Sequence, residues 1–249
     1  MQDLGDPVAD PNRGPKAEHP LDRFIWRALT SVQQGWAQGD GGARRYLAAV
    51  APFAAIEDST PASWRSLLAL IGAEERVALV SPEEPRVPAA FTVVRRDLIE
   101  QMVLDSVAKA TSATAFEPLG LADVPAMLAL TAMTQPGPFG PRTIELGRYL
   151  GIRRNGELVA MTGERIRLDG FTEVSAVCVH PDHRGRGYAA DLVLVVAGSI
   201  AARSETPILH VFSSNTPAIA LYRKLGFVSR RRMHLTVLSR AAFADSVNN

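Results

Sequence analysis

The sequence predicts an α/β (α+β) fold, a mixed and mainly antiparallel sheet flanked by helices, from three observations. First, Glu173 to Val179 is a run of strand-favouring and small apolar residues that Pro181 ends, and a glycine turn and a segment of helical periodicity follow it. Second, Asn155-Gly156 and Asp169-Gly170 separate apolar runs, and such dipeptides favour β-hairpins. Third, stretches with apolar residues at helical spacing occur in both halves of the chain.

Composition and charge narrow the class of protein. The 249 residues are 47% apolar and 21% charged, which is typical of a globular protein with one large domain or two small ones. A net charge of +1 gives no concentrated basic face, so we expect no nucleic-acid partner. The one dense basic run, Arg230 to Arg232, is interpreted first as a solvated strand edge and second as a contact for phosphates or an acidic substrate.

Cysteine usage and hydropathy indicate the compartment. The single cysteine, Cys178, lies inside a predicted strand, where a buried inert thiol is expected rather than a nucleophile. With one cysteine and no Cys/His cluster, we expect no disulfide, no metal and a reducing compartment. No signal peptide and no membrane span is recognisable, so we expect a cytoplasmic protein without a membrane partner.

The chain begins with a predicted disordered tail, residues 1–20, which contains four prolines. Apolar residues from Leu21 to Trp36 then fall on one helical face, and this pattern predicts a single amphipathic helix that ends at Gly39 to Gly42. Tyr46 to Ile56 is apolar but interrupted by Pro52, which indicates irregular structure or an edge strand.

The rest of the first half continues this alternation of elements. Thr60-Pro61 supplies an N-cap and a proline at the first helical position, which predicts a short helix. Val77 to Val80 and Phe91 to Val94 are predicted strands, whereas residues 98–109 fit either a strand or a helix. Residues 21–112 therefore form a predicted auxiliary α/β half without a glycine phosphate turn.

The second half follows a predicted linker at Thr111 to Thr114. Asp123 is expected to cap its first helix, and the loop Thr134 to Pro141 carries one phenylalanine, Phe139, that is expected to be exposed. The predicted strands are 116–119, 149–154, 158–168, 173–179, 207–212 and 227–238, and a last helix covers 216–225 with Gly226 as its left-handed stop.

The turn Arg184-Gly185-Arg186-Gly187-Tyr188-Ala189 opens the helix that follows the central strand. Amide hydrogens in the first turn of a helix lack intrahelical acceptors, and the helix dipole adds partial positive charge there. Gly185 and Gly187 have no Cβ, so a ligand can approach the backbone closely. The pattern indicates a binding site for an anion such as a diphosphate.

Two blocks of sequence carry a resemblance to a known family. Arg184-x-x-Gly187-x-Ala189 resembles the diphosphate signature of the GCN5-related N-acetyltransferases (GNAT family). The block from Asn215 to Phe227 resembles the later motif of that family, Asn-x-x-Ala-x-x-Leu-Tyr-x-x-x-Gly-Phe. The resemblance covers about 116–240 and is nearest to the FR47-like branch. It implies the GNAT acyl-CoA N-acyltransferase fold for residues 113–240. From the residues themselves we interpret 21–112 as a degenerate GNAT-like or auxiliary half and 241–249 as a frayed tail.

The resemblance implies an N-acetyltransferase that moves an acetyl group from acetyl-CoA to a primary amine by direct attack in a ternary complex. The backbone of Val177, Cys178 and Val179 would then hold the pantetheine arm. The amides of Arg184, Gly185, Arg186, Gly187, Tyr188 and Ala189 would hold the diphosphate, and Asn215 would contact the pantetheine or the adenosine. The alternative is a catalytically silent acyl-CoA-binding sensor or partner-binding module, because a fold does not imply activity.

The same resemblance implies the catalytic groups. Tyr222 matches the general acid that protonates the leaving thiolate. Glu173 is the candidate base, with Glu164, His180 or water as rivals, and an amine that binds neutral would need no base. Phe139 is the candidate contact for the acceptor, which is a small-molecule amine or a protein amine. The chain is expected to be a monomer or a homodimer.

Overall fold

The computed structural model describes residues 18–106 and 114–242. Most of the predicted N-terminal tail, the linker residues Thr111 to Ala113 and most of the predicted C-terminal tail lie outside the described residues. The α-helices of the described part are α1 (Phe24–Thr30), α2 (Pro61–Ala69), α3 (Val124–Thr134), α4 (Tyr188–Ala201) and α5 (Thr216–Lys224). No helix in this part of the chain is long and apolar enough to cross a membrane.

The strands of the described residues join one mixed sheet. They are β1 (Ala37–Gln38), β2 (Ala43–Tyr46), β3 (Phe53–Ile56), β4 (Arg76–Ser81), β5 (Phe91–Leu104), β6 (Glu117–Leu119), β7 (Tyr149–Arg154), β8 (Glu157–Leu168), β9 (Phe171–Val179), β10 (Thr206–Phe212) and β11 (Phe227–Arg240). Their order across the sheet is β1-β2-β3-β4-β11-β5-β10-β9-β8-β7-β6.

The helix predicted over Leu21 to Trp36 is wrong in length. The structure divides this stretch into a 3-10 turn at Pro20–Arg23, the short helix α1, and a second 3-10 turn at Gln34–Trp36. The hydroxyls of Thr30 and Ser31 donate to the carbonyls of Trp26 and Arg27, and such bonds compete with helix continuation. Gln33 then points inward and donates to the carbonyl of Arg165 at 2.7 Å.

The helix predicted after Thr60-Pro61 is confirmed, and the undecided segment after it is resolved. The Thr60 hydroxyl accepts from the Ser63 amide, and Pro61 begins α2. The open choice at residues 98–109 is settled as strand as far as Leu104, because β5 pairs with β10 on one side and with β11 on the other. Residues 107–113 lie outside the described part of the chain.

In the second half the hairpin between β7 and β8 is confirmed, because Asn155 and Gly156 have φ values of 52° and 84°. Asp123 stands before α3 as expected, but its carboxylate does not bond the helix amides. It accepts from the Gly120 amide at 2.8 Å and pairs with Arg153, because a 3-10 turn precedes the helix.

The sheet joins the two halves of the sequence. β5 from the first half lies between β10 and β11 of the second, and β11 also pairs with β4. Both faces of this shared sheet are packed with apolar side chains: α1 covers one face with Phe24 and Ile25, and α4 and α5 cover the other with Val196 and Ile219. The division into domains at residue 112 stays a prediction.

One gap in this sheet positions the site. β9 and β10 run parallel and pair only at Phe171 to Glu173 with Thr206 to Ile208 within the described residues. A bulge on β9, where Ala176 has a φ of 53°, bends the strand beyond this point. The two strands therefore continue toward Val179 and Phe212 without further pairing and leave an opening in the sheet.

Candidate active site

A cleft of about 1240 Å³ occupies the opening between β9 and β10. One wall comes from the second half, with the end of β9, Arg184, Ala189 and the helix α5. The other wall comes from the first half, with Phe24, Phe53 and the strands β4 and β5. The cleft therefore extends from the two ends of the predicted diphosphate turn to first-half residues that carried no functional signal in the sequence.

The glycine turn before α4 has the geometry that an anion site needs. Gly185 and Gly187 have φ values of 75° and 80°, which side chains other than glycine rarely adopt. A Cβ built at either position would meet no protein atom within 4 Å, so space for a ligand lies beside the backbone. Gly187 stands at the N-cap of α4 without a side-chain cap. No protein acceptor is found in the described residues for the amides of residues 185–187, so these residues fit a diphosphate.

The remaining predicted cofactor residues divide into two groups. Val177, Cys178, Val179, Arg184, Ala189 and Asn215 line the cleft. Asn215 also caps α5, since its side-chain oxygen accepts from the Ala218 amide at 3.2 Å. Tyr188 differs, because its ring is buried away from the cleft and its hydroxyl accepts from Arg154 at 3.0 Å. The side chain of Tyr188 therefore does not line the cleft, and the role of its backbone amide stays a prediction.

Tyr222 lies on α5 with its ring buried, and it lines the cleft. Its hydroxyl has no hydrogen-bond partner among residues 18–106 and 114–242. Burial, and then the nearby Cys178 thiol, raise the pKa of Tyr222 to about 12. The phenol is therefore protonated at neutral pH and has a hydrogen to donate into the cleft.

Cys178 lies opposite Tyr222 as a buried thiol. Burial raises its pKa to about 11, although Thr134 and the Met161 backbone act in the other direction through hydrogen bonds. A thiol with a raised pKa is a poor nucleophile. The structure supports the interpretation of Cys178 as part of the strand core.

Glu173 lines the cleft at the point where β9 and β10 separate, but its carboxylate is fully engaged. Arg165 donates to both of its oxygens at 2.9 Å, and His210 Nδ1 lies 2.8 Å from Oε1. Burial alone would raise the pKa of Glu173, but the Arg165 charge and the hydrogen bonds from His210 and Arg165 outweigh it and lower the pKa to about 2. The carboxylate is held ionised.

Comparison with known proteins identifies the family. The model of the FR47-like proteins matches residues 149–235. A solved structure of a protein assigned to the GNAT family of acetyltransferases, from Novosphingobium aromaticivorans, is 39% identical, covers 90% of this chain and 100% of its own, and has a TM-score of 0.84. This chain belongs to the GNAT family.

Two more distant structures share the fold of this GNAT protein. A GCN5-related N-acetyltransferase from Kribbella flavida is 18% identical, with a TM-score of 0.58, and covers 88% of this chain and 93% of its own. Another from Sphaerobacter thermophilus is 16% identical, with a TM-score of 0.52, and covers 90% and 93%. No functionally curated protein matches the sequence.

The rival base candidates of this GNAT protein lie off the cleft. Glu164 is buried on the far side of β8, where Arg203 donates to both of its oxygens at 3.0 and 3.1 Å. His180 accepts from the Asp182 amide at 3.2 Å, and its ring packs on His183. Neither residue lines the cleft. Glu173 is thus the one carboxylate among the described residues that line it.

A buried network of hydrogen bonds next to Glu173 was not predicted from the sequence. Gln101 Nε2 donates to the Leu21 carbonyl at 2.9 Å and faces His210 Nε2 at 3.0 Å, while Gln101 Oε1 accepts from Arg230 at 2.6 Å. These partners fix the orientation of the amide, so His210 Nε2 must accept and Nδ1–H must donate to Glu173.

The same region contains the partners of the basic run Arg230 to Arg232. Arg230 and Arg231 pair with Asp22, and Arg232 pairs with Glu100. The residues of the run are therefore engaged in ion pairs with the first half. No sequence signal could have found this network, because Gln101 lies 109 positions from His210 and Arg230 lies 208 positions from Asp22.

Phe139, the predicted acceptor contact, is half-buried rather than exposed. Its ring meets Tyr149 edge to face, with 5.6 Å between the ring centroids, and it lines the cleft. The neighbouring loop residues Gln135, Pro136, Gly137 and Pro138 line the same side. The loop after α3 is therefore a wall of the cleft, as expected for a border of the acceptor site.

Proposed function

We propose that this chain transfers an acetyl group from acetyl-CoA to a primary amine while both substrates are bound. The observation that carries the proposal is one cleft lined both by Arg184 and Ala189, the two ends of the glycine turn, and by a buried, protonated phenol, Tyr222. Family membership supports acyl transfer, and these two groups are what thioester aminolysis requires of the protein.

The residues that line the cleft fit the co-substrate. The amides of residues 185–189 would hold its diphosphate, with Arg184 as an added cation, and the backbone of Val177 to Val179 would receive the pantetheine arm. Acetyl-CoA supplies the activated acetyl thioester when it is bound. Beyond Glu173, β9 no longer pairs with β10, so backbone amides of β9 on that side are free to polarise the thioester carbonyl.

Tyr222 is proposed as the general acid. Its pKa of about 12 keeps the proton on the phenol oxygen until a strong base appears beside it. A departing thiolate is such a base, and no protein group in the described residues competes for the hydroxyl. General-acid catalysis of this kind typically contributes about 10²–10⁴-fold to the rate.

Glu173 is proposed to hold neighbouring side chains in position rather than to accept the proton of the amine. A carboxylate with a pKa of about 2 is a weak acceptor, and protonating it at pH 7 costs about 7 kcal/mol. The proton of the amine would instead pass to water in the open cleft. Glu173 would hold Arg165 and His210 in place on the acceptor wall, by which we mean the side of the cleft lined by Arg76, Arg95, Arg165 and His210.

The engaged state of Glu173 also favours a second candidate, a silent acyl-CoA-binding module, because it leaves the cleft without a free carboxylate base. The two candidates differ in turnover. The test measures thiol release from acetyl-CoA across a panel of neutral, anionic and polycationic primary amines, beside calorimetric titration with coenzyme A. Amine-dependent thiol release supports the transferase. Tight coenzyme A binding without release on any amine supports the module.

A further inference from the structure

The acceptor wall of the cleft has an unequal charge distribution. Arg76 and Arg95 line it from β4 and β5, and Arg165 lines it beside Glu173. Glu173 is the only carboxylate among the described lining residues, and its ion pair with Arg165 cancels both charges locally. Arg76 has no ion-pair partner among the described residues, and Arg95 pairs only with Asp97, which lies off the cleft.

The guanidinium of Arg95 is held in place at the opening of the sheet. Its carbon lies 5.1 Å from the ring centroid of Phe212, the last residue of β10. The ion pair between Arg95 and Asp97 uses Arg95 Nε, and Asp97 does not line this cleft. Among the described residues no hydrogen bond from a terminal nitrogen of Arg95 is found, and the planar guanidinium group suits a carboxylate.

Apolar side chains also line the same cleft. They are Phe24, Phe53, Ile99, Phe212, Leu235 and Val237. The Arg165 guanidinium lies 4.9 Å from the centroid of the Phe53 ring, so an aromatic face covers this cation as well. An apolar body fits here, whereas a second cation on the acceptor would lie close to the Arg76 and Arg95 guanidiniums.

We propose that the acceptor is a primary amine joined to a carboxylate by an apolar or aromatic body, and that Arg95 with Arg76 recognises the carboxylate. This inference rests on the proposed acetyl transfer and adds the substrate class. It excludes polyamines and basic peptides as preferred acceptors, because their second cation would lie on the arginine wall.

The test compares matched acceptors that differ only in the anion. L-Phenylalanine is compared with 2-phenylethylamine, and 4-(aminomethyl)benzoate with 4-methylbenzylamine, so that the carboxylate lies at two distances from the amine; spermidine represents the polycations. In wild type we expect kcat/KM to be at least about tenfold higher for the carboxylate member of one pair, and spermidine to be a poor acceptor.

Substitutions of the two arginines test whether the acceptor wall causes the preference for carboxylates. Arg95→Gln and Arg76→Gln should lower kcat/KM for the preferred carboxylate about tenfold through KM, and should leave its neutral partner unchanged. Arg96→Gln is the matched control, because Arg96 is the next residue on β5 but lies off the cleft and pairs with Glu84. It should behave as wild type.

Several outcomes overturn the inference. They are equal or better use of the neutral amines, spermidine as the best acceptor, or a carboxylate preference that survives in both arginine variants. If no amine gives thiol release, the proposed acetyl transfer is wrong. Calorimetric titration of coenzyme A-saturated protein with the two carboxylates then tests separately whether the arginine wall binds a carboxylate. Binding that Arg95→Gln weakens about tenfold, and Arg96→Gln does not, then supports the wall; absent or unchanged binding contradicts it.

Discussion

At the scale of single residues, Glu173 shows how burial and partners decide what a carboxylate can do. Its position at the start of the strand suggested a general base, but the sequence could not show that Arg165 on the neighbouring strand and His210 on β10 would engage both oxygens. Tyr222 differs, because its identification depends on the local Leu-Tyr-x-x-x-Gly-Phe pattern, and the structure places its ring on the cleft.

The Glu173 ion pair predicts a pH dependence of stability. The pKa of Glu173 in the folded state lies at about 2, below the ordinary glutamate value of 4.5. The stability that ionised Glu173 contributes is therefore fully present above about pH 4.5 and is lost as the pH falls toward 2. The shift corresponds to on the order of 3 kcal/mol.

Urea unfolding at pH 7 and pH 3 measures this effect. Glu173→Gln should be several kcal/mol less stable than wild type at pH 7, because Arg165 is left buried without its partner. The deficit should shrink at pH 3. Glu157→Gln, at an exposed position, should match wild type at both pH values. A Glu173→Gln deficit that is the same at pH 7 and pH 3 would remove the linkage argument.

At the scale of elements, the strand, glycine turn and helix at 171–201 were predicted almost completely. Their signals are local: small and β-branched residues, a proline stop, and two glycines with positive φ. The short helix α1 was overestimated because its apolar spacing continues past Thr30, while the end of the helix is set by hydroxyl bonds and by the distant partners of Gln33. Spacing does not contain that information.

The turn before α4 carries an element-scale prediction. Gly187→Glu should raise the Kd for acetyl-CoA at least about tenfold, because the side chain enters the space beside the backbone and its carboxylate repels a diphosphate. Gly156→Glu is the control: Gly156 has a similar φ of 84° and equally open surroundings, but lies in the β7–β8 turn. Calorimetric titration gives both Kd values, and equal values for the two variants would reject residues 184–189 as the diphosphate site.

At the scale of the whole molecule, the two halves of the sequence share one sheet. β11 pairs with β4 and β5, and Asp22 and Gln101 reach Arg230 across the same boundary. The first half was predicted as an auxiliary unit because its sequence lacks a phosphate turn. Pairings between residues more than a hundred positions apart could not be predicted from local patterns, so neither the strand order nor the acceptor wall was foreseen.

This interleaving predicts one cooperative unfolding transition. The three tryptophans, Trp26, Trp36 and Trp64, all lie in the first half, so tryptophan fluorescence reports on that half, whereas far-ultraviolet circular dichroism reports on the whole chain. The midpoints from the two probes in urea should coincide. A fluorescence transition separated from the dichroism transition would show that residues 21–112 unfold independently.

The central claim for the whole molecule is that the cleft performs acetyl transfer with Tyr222 as the acid. Steady-state thiol release at saturating acetyl-CoA, for wild type, Tyr222→Phe and the control Tyr188→Phe, tests it most directly. Tyr188 is a buried tyrosine whose hydroxyl bonds Arg154 away from the cleft. We expect kcat to fall about 10²–10⁴-fold in Tyr222→Phe, with the Kd for acetyl-CoA and the melting temperature little changed, and to stay near wild type in Tyr188→Phe. A Tyr222→Phe protein that turns over at the wild-type rate would contradict the central claim.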